Sequence, residues 1–191
     1  MTDRKVRCSW CLGSEKMMAY HDTYWGTPLH DDQELFAKLV LDMNQAGLSW
    51  NTILNKQENF YAAFDDFDIA TVAAYDDKKE EALLQDVGII RNKLKVKAAI
   101  TNAQKVLEIQ KEFGSFDAYI WGFVNGEVQQ HHIKEDSEIP ASDALSDKIS
   151  KDMKKRAFKF VGTTIIYAYL QAIGVINDHV EACFRYEELV S

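Results

Sequence analysis

Helical periodicity, repeatedly opened by a capping residue and closed by a glycine, is what most restricts how this chain can fold. Asp31 precedes a stretch in which Leu35, Phe36, Leu39, Val40 and Met43 recur at helical spacing, and Glu34 stands where a capping box places an acid. Ser49 is a second cap, leading into residues 50–64, and Asp68 can cap residues 69–75. From Asn92 a long amphipathic helix carries Val96, Ala99, Ile100, Ala103 and Leu107 on one face and stops at Gly114. Residues 115–124 read as an aromatic-rich helix ended by Asn125-Gly126. Ser142 opens a basic helix, and residues 164–172 form an apolar one ended by Gly174. Period-two alternation never persists long enough to require a sheet. The expected fold class is all-α. No repeat and no break in composition marks a boundary, so residues 1–191 are expected to form one domain. Two helical lobes within it are an arrangement the sequence does not separate.

A chain of 191 residues can bury one substantial core, and 47% hydrophobic with 27% charged residues is ordinary for a globular protein. No apolar run approaches the ~20 residues of a membrane span, and Met1-Thr2-Asp3-Arg4-Lys5 is not followed by the apolar region of a secretory leader. A cytoplasmic protein without membrane contact is expected. In that compartment three cysteines, an odd number, read as ligands or core residues before disulfides. A net charge of −8 has the wrong sign for binding a polyanion. The cations are nevertheless clustered: Arg91, Lys93, Lys95 and Lys97 in one group, Lys148, Lys151, Lys154, Lys155, Arg156 and Lys159 in another. A basic face suits phosphate contacts, and each cluster alone reads equally well as a solvated helix face.

Two pairs of soft metal ligands stand near opposite ends of the chain: Cys8 with His21, and His179 with Cys183. Four residues apart on a helix, His179 and Cys183 would share one face. Thiolate and imidazole are the ligands tetrahedral zinc prefers, and if the pairs meet, a metal ties the N-terminal segment to the C-terminal helix. Such long spacing matches no compact zinc-finger pattern, so scattered Cys and His remain the competing reading.

Between residues 83 and 93 an apolar helix end, a glycine-containing turn and a new helix start follow one another. Such a turn exposes backbone N–H groups beside a positive helix end, which suits a phosphate oxygen. An ordinary helix–turn–helix connection has the same pattern. Trp10, Trp25 and Trp50 accompany the segments Cys8-Ser9-Trp10, Tyr20-His21-Asp22-Thr23-Tyr24-Trp25-Gly26 and Gln45-Ala46-Gly47-Leu48-Ser49-Trp50. Any one large aromatic is core packing by default. Several beside one carboxylate, here Asp42, can instead stack on a planar base, attract a cationic ring and accept from an exocyclic amine.

These segments, with Gly88-Ile89-Ile90-Arg91, Lys159-Phe160-Val161-Gly162-Thr163-Thr164 and Asn177-Asp178-His179, resemble the 3-methyladenine DNA glycosylase I family, collinearly from Cys8 to Cys183. The resemblance implies an all-α helix-hairpin-helix DNA glycosylase fold with residues 87–91 as the hairpin, and a structural zinc site formed by Cys8, His21, His179 and Cys183. It implies a base pocket of Trp10, Tyr20, Trp25 and Trp50, with Asp42 in the catalytic carboxylate position. Leu48 would stand near the gap left by a flipped nucleotide, and Gly88, Arg91 and Lys93 would contact DNA. The implied partner is alkylated double-stranded DNA with 3-methyladenine flipped out, and the implied oligomeric state is a monomer. Cys11 reads as a bystander, because four ligands are already supplied.

Alkylation at N3 makes adenine cationic and a good leaving group, so the implied reaction needs little general acid. Water attacks the sugar C1′, giving a free base and an abasic site without strand cleavage. The chain departs from the family pattern at Asp42, where glutamate is usual. The carboxylate withdraws by about 1.5 Å, one C–C bond, enough to lose a hydrogen bond of ordinary length. Met43 replaces a smaller residue, and Met17 stands where many members have tyrosine. These departures carry the alternative expectation, a glycosylase-fold protein that binds damaged DNA with impaired catalysis.

Overall fold

The computed structural model describes residues 5–190. Residues 1–4, part of the segment in which no leader is expected, and residue 191 lie outside the described residues. The chain is mostly helical, as the periodicity predicts. After a 3-10 turn at Ser9–Gly13 come α1 (Glu15–Thr23), α2 (Asp32–Gln45), α3 (Trp50–Ala63), α4 (Ile69–Ala73), α5 (Asp77–Gln85) and α6 (Lys93–Phe113). Then follow α7 (Phe116–Gly122), α8 (Ala144–Lys155), α9 (Thr163–Ala172) and α10 (Phe184–Val190). Among the described residues no helix is long and apolar enough to cross a membrane.

The caps explain most boundaries. Asp31, Ser49, Asp68, Asn92 and Ser115 each accept an N–H of the following first turn. Glu34 receives the Asp31 cap through its own N–H, while its carboxylate accepts the Tyr61 hydroxyl at 2.7 Å. The basic helix begins later than Ser142 suggests. Asp143 caps α8, and the Ser146 hydroxyl accepts the Asp143 N–H in return, closing a capping box.

Two further expectations are corrected. His179 and Cys183 do not lie on a helix. Val180 bridges in parallel to Ile133, and a turn at Glu181-Ala182 carries the chain to Cys183 just before α10. That bridge continues a short parallel pairing of β1 (Gln129–Gln130) with β2 (Ile176–Asn177), too brief to leave a period-two signature. Lys95, counted with the basic cluster, is buried. Its ammonium donates to the Asn44 carbonyl at 2.7 Å and the Ala46 carbonyl at 2.8 Å, satisfying acceptors at the end of α2.

At the centre of the fold is α2, packed by α3, α6, α7 and α9, with every residue from Leu35 to Asn44 buried. A helix enclosed on all sides should be apolar all round. Between Leu35 and Met43 only Lys38 and Asp42 break that rule, one turn apart. At the end of α9, Gly174 lies at φ +76°, where a Cβ would come within 2.4 Å of the Pro28 nitrogen and 2.7 Å of the Gly26 carbonyl oxygen. The Leu29 N–H donates to the Ile173 carbonyl at 3.0 Å, so this contact clamps the segment after Trp25 onto α9. Gly174→Ala should cost more than ~2 kcal/mol and lower Tm by ~5 °C or more, from left-handed strain and backbone overlap together. A thermal melt with an unchanged midpoint would contradict the clamp.

Candidate functional site

A cavity of about 210 Å³ opens beside α2, lined by Trp10, Tyr20, Trp25, Lys38, Asp42, Gln45, Trp50 and the end of α9. Its walls come from separate parts of the chain. Trp10 projects from the 3-10 turn, Tyr20 from α1, Trp25 from the loop behind α1, and Trp50 is the first residue of α3. The Ser9 hydroxyl and the Trp10 N–H both donate to Asp136, at 2.5 and 2.9 Å, which pins the turn. Ring centroids lie 5.0 Å apart for Trp10 and Trp25, 6.4 Å for Trp10 and Tyr20, and 5.2 Å for Tyr20 and Trp50. Such tilted and edge-on contacts hold the rings upright around a slot.

Asp42 stands at the α2 side of the cavity, 4% exposed, and its Oδ1 accepts from the Lys38 ammonium at 2.8 Å. The same ammonium sits 3.6 Å from the Trp50 ring centroid and 5.0 Å from that of Tyr20. Asp42 Oδ2 and Trp50 Nε1 are buried without a hydrogen-bond partner. Unpartnered buried polar atoms are costly unless something completes them, and both residues line one cavity. Burial pushes the Asp42 carboxyl above the usual carboxylate range, with Lys38 pulling it back. Burial likewise lowers Lys38, with Asp42 opposing. A larger groove of about 600 Å³ runs along Lys16, Tyr20, Thr23, Tyr24, Glu58 and Tyr61. None of the described residues there carries such an unpartnered buried atom, so the smaller cavity is the better ligand site.

Behind Trp25 the four soft ligands converge: one ligand atom each from Cys8, His21, His179 and Cys183, all buried and within 4.8 Å of one another. Cys183 Sγ lies 3.4 Å from His21 Nε2 and 3.7 Å from His179 Nδ1, which is itself 3.7 Å from Cys8 Sγ. Ligands at zinc's N and S bond lengths are separated by about 3.3–3.8 Å on a tetrahedron's edges, so these three separations fit. The outer ring nitrogens are engaged. His21 Nδ1 faces Asp22 Oδ1 at 2.9 Å, and His179 Nε2 faces the Trp25 carbonyl at 3.1 Å. Those contacts take the ring N–H and leave the inner nitrogen as a ligand. The Cys8 thiol is raised and Cys183 lowered chiefly by their mutual hydrogen bond, as expected of two sulfurs sharing a proton. Cys11 is buried outside the set, its thiol donating to the Cys8 carbonyl at 3.1 Å. The cluster abuts the slot directly, with His179 edge-on to Trp25 at 4.5 Å.

The expected DNA-facing residues lie at turns. Leu48 is 41% exposed, one residue beyond Gly47 at φ +78°. The α5–α6 connection carries Gly88 and Arg91 and leads into Lys93 at the start of α6, the last two exposed. The Gly88 N–H donates to Asp86 at 2.7 Å, and Lys56 donates to the Val87 carbonyl at 2.9 Å, so this turn is tied to α3. In the second basic cluster, Arg156 is committed to Glu112 and Asp152.

Sequence reasoning missed Lys38, whose i, i+4 spacing to Asp42 resembles a surface ion pair. It also missed Gln171, held at the cavity by buried Asp178 at 2.7 Å, with His131 and Tyr167 on the same carboxylate. The signal for Lys38 was its isolation with Asp42 in an otherwise apolar run.

Comparison with known proteins gives consistent matches. A family model described as methyladenine glycosylase matches residues 10–186. DNA-3-methyladenine glycosylase 1 of Escherichia coli (strain K12) is 46% identical over 180 residues, covering 94% of this chain and 96% of that protein. A crystal structure of 3-methyladenine DNA glycosylase I superposes with a TM-score of 0.91 at 44% identity, covering 94% of this chain and 98% of the other. A tyrosine-to-phenylalanine variant of a 3-methyladenine DNA glycosylase I, in complex with 3-methyladenine, superposes at 0.90 with 32% identity, covering 93% and 96%.

Proposed function

This chain belongs to the methyladenine glycosylase family, and from that premise we propose that it acts in base excision repair as a monofunctional DNA-3-methyladenine glycosylase. It hydrolyses the N-glycosidic bond of 3-methyladenine in alkylated double-stranded DNA, releasing the free base and leaving an abasic site. The observation that carries this reading is the aromatic slot in which Asp42 Oδ2 and Trp50 Nε1 await partners.

In this reading Trp10, Tyr20, Trp25 and Trp50 enclose the flipped base, and Asp42 accepts from its exocyclic amine. The Asp42 charge also offsets the Lys38 ammonium, so the electron-poor, oxocarbenium-like state forms in a slot with no net positive charge. A departing 3-methyladenine leaves as a neutral base, so no protein group must protonate it before the bond breaks. Water then attacks C1′, its proton passing to solvent. Leu48 fills the space the base vacates, and the α5–α6 connection serves as the hairpin of a helix-hairpin-helix element. Arg91, Lys93 and the N–H groups around Gly88 meet phosphate there. The Asp86 side chain, which now takes the Gly88 N–H, must turn away for that N–H to reach an anion.

Zinc is the metal that Cys8, His21, His179 and Cys183 would hold, and it would supply a structural cross-link. Four protein ligands leave no open position for a reacting water. The enzyme is read as a single-domain monomer of the cytoplasm.

Incubation with a methylated duplex tests the function. Free 3-methyladenine should appear, and strand breaks only after alkali. No free base would overturn the activity and leave the alternative of a binding protein with impaired catalysis. Direct strand breaks would overturn its monofunctional character.

A further inference from the structure

Lys38 has no part in the reaction just described, yet its ammonium occupies the most telling place in the cavity. It lies between the Asp42 carboxylate, at 2.8 Å, and the Trp50 face, at 3.6 Å from the ring centroid. Its side chain is 3% exposed, so this is not a surface lysine leaning inward. An aromatic face beside a carboxylate is what a cationic ring seeks. Here the protein's own cation already holds both. The slot therefore carries no net charge from this pair, and what remains for a ligand is a hydrogen-bonding pattern. Lys38 offers N–H donors beyond the one given to Asp42, and Asp42 Oδ2 offers an acceptor.

We propose that Lys38 is a specificity-determining residue: its ammonium fills the cation subsite between Asp42 and Trp50, so the pocket reads a base by donor–acceptor complementarity and gains nothing from the base's positive charge. The favoured class is a purine presenting an amino group to Asp42 Oδ2 and a ring or carbonyl acceptor to Lys38. A base with a fixed positive charge must displace the ammonium or share the slot with it. This inference rests on the cavity being the base site, and concerns which bases the site admits.

The experiment compares two small ligands: 3,9-dimethyladeninium, whose charge is fixed, and 9-methyladenine, which is neutral at pH 7.5. Binding to wild type, Lys38→Met and Lys38→Gln is measured by titration calorimetry on protein whose folding is checked by circular dichroism. Glutamine keeps a hydrogen bond to Asp42 and covers the case in which methionine leaves the carboxylate too poorly satisfied to fold. Both variants should bind the cation at least about tenfold more tightly than wild type, with the neutral ligand changing less than about threefold. Unchanged or weaker cation binding in the variants overturns the proposal. An equal gain for both ligands also overturns it, since Lys38 would then only fill space. Base release by wild type, assayed in parallel on methylated DNA, separates the two readings. Its absence counts against the glycosylase activity, and the charge comparison stands on its own.

Discussion

Cys183→Ser should abolish stoichiometric metal binding and lower Tm by ~10 °C or more. Structural zinc sites contribute their binding free energy to folding, ~10–16 kcal/mol in isolated zinc-finger peptides. In a protein with its own large core only part of that is lost, and ~4 kcal/mol corresponds to roughly 10 °C at this size. The four ligands are gathered from distant sites, Cys8 and His179 lying 171 residues apart along the chain. Removing one therefore releases a very long loop closure as well as a bond. The effect should reach the slot, because His179 packs edge-on against Trp25 and its Nε2 faces the Trp25 carbonyl. Cys8→Ser should act alike, and a strong chelator should reproduce both on wild type, reversed by added zinc. Elemental analysis with thermal melts checks this. One metal per chain retained by the serine variant, or a Tm unmoved by metal loss, would contradict a structural clasp.

Asp42→Asn should slow release of 3-methyladenine by ~10²–10³-fold, the usual effect of deleting one preorganised electrostatic contact to a transition state. Asparagine keeps the size and an oxygen for Lys38, so a loss of rate reports the charge. The variant leaves Lys38 buried without its counter-ion, which can cost ~3–5 kcal/mol if the lysine stays charged. Circular dichroism on the variant separates a loss of fold from a loss of rate. Asp42→Glu restores the reach usual in the family and should release base at least as fast as wild type. Single-turnover assays on one methylated duplex check all three proteins. An Asp42→Asn rate within threefold of wild type would remove Asp42 from the chemistry.

What the sequence revealed, and what it hid, follows from the range of the interactions involved. Caps are local, so Asp31, Ser49 and Asp68 were legible from their own segments. The convergence of Cys8, His21, His179 and Cys183 is not local, and spacing alone left it open. Resemblance supplied it, and even then the i, i+4 reading of His179 and Cys183 was wrong, because a bridge to Ile133 overrides helix formation there. Lysines were the main source of error. Lys95 looked like part of a phosphate-binding cluster and is instead a buried donor to the end of α2. Lys38 passed unremarked in the sequence and lines the cavity. A charged side chain declares its charge in the sequence, but its burial depends on which helices enclose it.

Nuclear magnetic resonance titration with free 3-methyladenine on labelled protein tests most directly whether the Asp42 cavity is the base site. Saturable shifts should appear at the Trp50 indole N–H, the Trp10 and Trp25 indoles and the backbone amides from Lys38 to Gln45. Shifts confined to the neighbouring groove of Lys16, Thr23, Glu58 and Tyr61, with the Trp50 indole unmoved, would contradict the account.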